Sequence, residues 1–167
     1  MKRFRYAGRL VREGDFVKQT AGLCSAASIA NACRVLGVTW KYSPVTEAVA
    51  ALAMGLSENA VETGADQTAI VRGVLALGFK TRARKETTRV VRELYTDKFA
   101  IAQERLKYHA VIASVDGGAH WLVLVADGAR VNVIDSDNTA PMLARITPTN
   151  LERRWRHDGK FYGIALR

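Results

Sequence analysis

A chain of 167 residues that is 49% hydrophobic and 25% charged, with three prolines, has the size and texture of one folded domain over residues 1–167, which excludes disorder, collagen-like sequence and low-complexity linkers. Twenty-five Lys and Arg against sixteen Asp and Glu give a net charge of +9, a field that favours acidic partners such as nucleic acid, anionic lipid or acidic peptides. Two cysteines rule out a disulfide framework and a four-cysteine zinc site, and the longest stretch free of charge, Gln19 to Cys33, falls short of the ~18 apolar residues of a membrane span.

The amino terminus, Met1 to Arg12, interleaves charges with apolar residues and lacks the continuous apolar core of a secretory signal, so the expected location is the cytoplasm. Leu23 to Leu36 is small and apolar with Gly37 behind it, which predicts a helix and its stop. Ser43-Pro44 reads as a cap and first helical proline, opening a second helix through Met54 to Gly55. Asp66 to Leu77 predicts a third helix, with Ile70, Val74 and Leu77 on one face and Gly78 as its stop. A short strand is expected at Phe79 to Ala83, then helical periodicity from Thr88 to Leu106 broken near Thr96-Asp97. From His109 the texture turns to β-rich runs at Ala110–Val115, Trp121–Val125 and Arg130–Ile134, punctuated by Gly117-Gly118 and Asp127-Gly128. Thr147-Pro148 opens a short helix through Trp155, and Phe161 to Leu166 supplies a last strand. Helices first and an antiparallel meander afterwards define an α+β fold.

Cys24 falls at the start of the first predicted helix, where free backbone N–H groups and the helix dipole stabilise a thiolate. The alternative role for Cys24 is a small core hydrophobe, which is also the reading given to Cys33 deeper in the same helix. Taking Asp127-Gly128 as a two-residue hairpin loop sets Ala126 opposite Ala129 and so places His120 opposite Asp135 on one face. A histidine held by a carboxylate has its tautomer and orientation fixed, as a general base for a thiol requires. His109 at a strand start and His157 in the Arg153-Arg154-Trp155-Arg156 run read as surface or capping residues, and Asp137-Asn138 as turn residues able to supply a hydrogen bond. The cations Arg82, Arg84, Lys85, Arg89 and Arg92, with the arginines near Trp155, form either a solvated basic face or a phosphate-binding surface. No Gly-rich phosphate loop, zinc finger or aromatic RNA-binding motif accompanies them.

The run Gln19-Thr-Ala-Gly-Leu-Cys24-Ser-Ala-Ala-Ser28, followed much later by Ala119-His120-Trp-Leu-Val and Val133-Ile134-Asp135, resembles the papain-like cysteine peptidases. Within them it is most similar to the bacteriocin-processing, double-glycine leader peptidases. The resemblance spans most of Phe16 to Asp135 and keeps the chain order Cys, His, Asp. It implies Cys24 as nucleophile, His120 as base, Asp135 as the residue orienting it, and Gln19 as part of the oxyanion hole, with no metal or organic cofactor. Ser136 departs from the proline common after the aspartate, and Ser25 from the Gly or Trp common after the cysteine. The implied activity is hydrolysis of a peptide or amide bond. Deamidation or acyl transfer by the same triad, an inactive peptide-binding module, and a basic nucleic-acid-binding protein are the other readings. The net charge adds the expectation that a peptide or protein substrate would be acidic.

Overall fold

The computed structural model describes residues 2–20, 22–56, 65–83 and 89–167. Six strands build one sheet: β5 (Val91–Thr96), β6 (Ala110–Val115), β7 (His120–Asp127), β8 (Arg130–Ile134), β9 (Leu143–Ile146) and β10 (Phe161–Leu166). Their spatial order is β5-β10-β6-β7-β8-β9, and every pairing is antiparallel. Two small hairpins lie outside it, β1 (Arg3–Tyr6) with β2 (Arg9–Arg12) and β3 (Thr39–Trp40) with β4 (Ser43–Pro44).

Helices cover both faces of the sheet. On one side pack α1 (Cys24–Leu36), α2 (Glu47–Met54) and α3 (Gln67–Ala76), whose Ile29, Met54 and Ile70 share a core with Ile112, Val123 and Ile164. The other side is closed by α4 (Phe99–Leu106) and α5 (Pro148–Trp155), where Leu106, Leu151 and Trp155 meet Val111, Leu122 and Phe161. Residues alternate between these two cores along β6 and β7, so both strands are apolar at successive positions. The fold is α+β, as the chain order of elements predicts.

Three of these helices have a visible local cause. Gly37 takes the left-handed φ of 71° that ends α1. Asp66 caps α3 by accepting from the Ala69 N–H at 2.8 Å, and Pro148 occupies the first turn of α5.

The structure corrects three sequence expectations and adds elements the sequence did not suggest. Ser43-Pro44 lies in the β3–β4 hairpin, and Thr46 caps α2 instead, its hydroxyl accepting from the Val49 N–H. The strand expected at Phe79 to Ala83 is a single bridge between Lys80 and Val90. The first half of the region read as helix from Thr88 is the edge strand β5, preceded by residues 84–88, which lie outside the described part. The β1–β2 hairpin and β9 are additions, each strand only four residues long, too short for a period-two pattern to stand out in the sequence. Among the described residues no helix is long and apolar enough to cross a membrane.

Candidate active site

The site assembles where the amino terminus of α1 meets the start of β7. Ser28, one turn into α1 from Cys24, donates a 3.0 Å hydrogen bond to the Trp121 carbonyl. That bond fixes the height of α1 against β7 and so sets Cys24 beside His120. The His120 Nε2 lies 2.7 Å from Asp135 Oδ1, and Cys24 lines the same cleft, its side chain near enough to the imidazole to raise its pKa. With Nε2 taken by Asp135, Nδ1 is the nitrogen left for the thiol.

The route to this pairing differs from the expected register. Asp127 pairs with Arg130, so the hairpin loop is Gly128-Ala129, with Gly128 alone at positive φ, 61°, the pattern of a type II′ turn. The ladder is therefore displaced by two residues from the one expected, and His120 reaches Asp135 diagonally across the strands. A shift of two preserves the face, which is why the partners still meet.

Asp135 is 3% exposed and heavily bonded. Oδ1 also accepts from the Asp137 backbone N–H at 3.0 Å, and Oδ2 accepts from Arg154 Nη2 at 3.1 Å. Burial alone would raise the Asp135 carboxyl, but the bonds from His120, Asp137 and Arg154 outweigh it and hold the group at about 2. The bonds to Asp135 and then to Cys24 push the His120 imidazole up to about 10, against the effect of its burial. Cys33, fully buried in α1, has its thiol pushed up to about 12 by desolvation.

Gln19 lines the same cleft and is tied to the loop after β8. Its backbone N–H donates to the Ser136 carbonyl at 2.9 Å, its own carbonyl accepts from Asn138 Nδ2 at 3.0 Å, and its side-chain Oε1 accepts from the Ser136 hydroxyl at 3.2 Å. With Oε1 engaged, the amide Nε2 is free to serve as a donor. The fully buried Asn31 of α1 secures the approach to Gln19, bonding both the N–H and the C=O of Val17 at 2.8 and 3.1 Å.

Arg154 is the site residue that sequence reasoning missed. Read as part of a basic surface, it instead holds Asp116 through two nitrogens at 2.9 to 3.2 Å and reaches Asp135. Nothing in local spacing signals this, because its partners lie far away in the chain. The other histidines do not line the cleft. His109 is buried, with Nδ1 donating to the Arg105 carbonyl at the end of α4, so it caps as expected but is not at the surface. His157 sits beside Asp158 and Gly118. Asp137 forms a turn through Thr139, as its position suggests. Arg84 and Lys85 of the basic run fall outside the described residues.

The cleft occupies about 760 Å3, and among the described residues Asp66, Asp116, Asp135 and Asp137 line it together with the cations Arg154 and His120. This lining differs in sign from the net charge of the chain. The basic surplus lies elsewhere on the molecule.

No protein-family model matches the chain, and no curated protein matches it in sequence. Among solved structures it is similar to a double glycine motif protease from an AMS/PCAT transporter, determined in complex with the leader peptide. The likeness covers 91% of each chain with a TM-score of 0.60 and 13% sequence identity. The chain thus has the fold of a papain-like peptidase domain.

Proposed function

We propose that the protein is a thiol-dependent hydrolase of peptide or amide bonds, working through Cys24, His120 and Asp135. The observation that carries this reading is the gathering of Cys24, at the amino terminus of α1, and His120 in one cleft, with the imidazole bonded to a buried carboxylate at 2.7 Å. The similar protease of known structure holds a leader peptide, which supports a peptide as the substrate class.

In this reading Cys24 gives its proton to His120 Nδ1, and the sulfur attacks the carbonyl carbon of the scissile bond. The oxyanion is met by the Gln19 Nε2 and the Cys24 backbone N–H. As the C–N bond breaks, His120 returns its proton to the leaving amine, leaving a thioester on Cys24. His120 then takes a proton from water as it attacks the thioester, the C–S bond breaks to release the acid, and His120 returns the proton to the sulfur, restoring the thiol. Asp135 orients the ring and supports its charge throughout, and Arg154 and the Asp137 N–H keep Asp135 ionised.

The test is a peptide mixture incubated with the full chain and followed by mass spectrometry. New termini that appear with the wild type and vanish with Cys24→Ala support the proposal. Turnover that persists in Cys24→Ala overturns it.

A further inference from the structure

A second pocket, of about 510 Å3, opens at the far end of α1. It is lined by Val35 and Leu36, whereas Cys24 begins the same helix, a separation of about 18 Å at 1.5 Å per residue. Ala126 near the end of β7 also lines it, and His120 stands at the start of that strand. The two cavities share no residue.

Its lining carries four cations, Arg5, Arg9, Lys107 and Arg167, and no acidic residue. Among the described residues none of the four meets a carboxylate within salt-bridge distance, whereas Arg145, Arg154 and Arg156 each do. All four are exposed; like charges gathered in a concave surface repel one another, and a multiply charged anion relieves that repulsion. The Arg9 guanidinium lies over Gly37, where a Cβ would come within 1.5 Å of its Nη1, so a bare glycine makes room for this cation. Tyr6 and the largely exposed Tyr108 flank the cations, and Leu36 supplies apolar surface. Apolar and aromatic walls with a few polar anchors, in a volume of this size, are the usual features of a small-molecule site.

We propose that this pocket binds a phosphorylated small molecule with a planar body, of the nucleoside diphosphate class. The cations take the phosphates, and Tyr108 with Leu36 takes the body. The site is independent of the reaction at Cys24.

Binding of a fluorescent ADP analogue to the full chain is followed by anisotropy, with inorganic pyrophosphate and unlabelled ADP as competitors. Saturable binding is expected, weakened about tenfold or more by the exposed double substitution Arg5→Glu/Lys107→Glu and less than about twofold by Arg153→Glu on α5. Tyr108→Ala is expected to weaken ADP while leaving pyrophosphate unchanged. Absence of saturation overturns the proposal, as does equal weakening by Arg153→Glu, which would mean diffuse attraction. Pyrophosphate competing as well as ADP, with no effect of Tyr108→Ala, overturns recognition of the body.

Discussion

Asp135 takes charge-assisted bonds from an imidazole and a guanidinium while a backbone amide fixes its position, and this arrangement makes the site sensitive to pH on both sides. The stability Asp135 contributes is complete above its ordinary value of 3.8 and is lost as pH falls through about 2. That of His120 is complete below 6.5 and is lost as pH rises through about 10. Thermal melts of the wild type and His120→Ala should therefore differ most between pH 4 and 6.5 and converge toward pH 10. In turnover, His120→Ala should lower kcat/KM by about 10²–10⁴-fold. Asp135→Asn should cost less, because an amide still orients the ring, but should move the alkaline limb of the pH profile downward. Iodoacetamide at neutral pH should label Cys24 well before Cys33, since Cys33 is fully buried with a thiol near 12, and mass spectrometry of the folded protein reads this directly. Equal rates would remove the case for an activated thiol. Ser136→Ala should lower kcat with little change in KM by freeing the Gln19 amide to turn, by less than the ~10²–10³-fold loss of a whole oxyanion donor. Adding Gln19→Ala to it should then cost less than Gln19→Ala does alone.

The elements that matter most for the site are α1 and the segment it clamps. Asn31 satisfies both backbone groups of Val17 from inside the core, so Asn31→Leu leaves a donor and an acceptor without partners. It should destabilise the fold by about 2 kcal/mol in urea melts and loosen Gln19 as well. None of this is visible in a linear reading, where Asn31 is one polar residue in an alanine-rich helix. The element types that were legible are those with strong local causes: α1 ending at Gly37, α5 opening at Pro148, and the apolar runs of β6, β7 and β8. The edge strand β5 read as helix because its buried Val91 and Leu94 stand three apart, a spacing that suits a helix face. Cys24, His120, Asp135 and Gln19 were legible as a set from their order and neighbours, and they do come together in one cleft. Arg154 and Ser28 were not, because their roles depend on distant partners that only the tertiary fold supplies.

Across the whole molecule the charge is divided. The net +9 attracts acidic chains at long range, while the cleft presents Asp66 and Asp137, which make no ion pair among the described residues, beside the Asp116–Arg154 and Asp135–His120 pairs. Lys18, held by the Asp137 and Ala140 carbonyls, offsets part of this negative field. Which sign a substrate meets depends on ionic strength. At physiological salt the screening length is about 8 Å, shorter than the ~18 Å length of α1, so the cations at its far end are screened from the cleft. Peptides with Lys or Arg beside the scissile bond should then have the higher kcat/KM. At about 0.01 M salt the screening length grows to about 30 Å and the whole charge is sensed, so acidic peptides should gain association rate and narrow or reverse the difference. A matched pair of peptides differing only in flanking Lys or Glu, assayed across a salt series at low substrate concentration, measures both limbs. A preference for the Glu peptide at physiological salt would show that the aspartates lining the cleft do not meet the substrate.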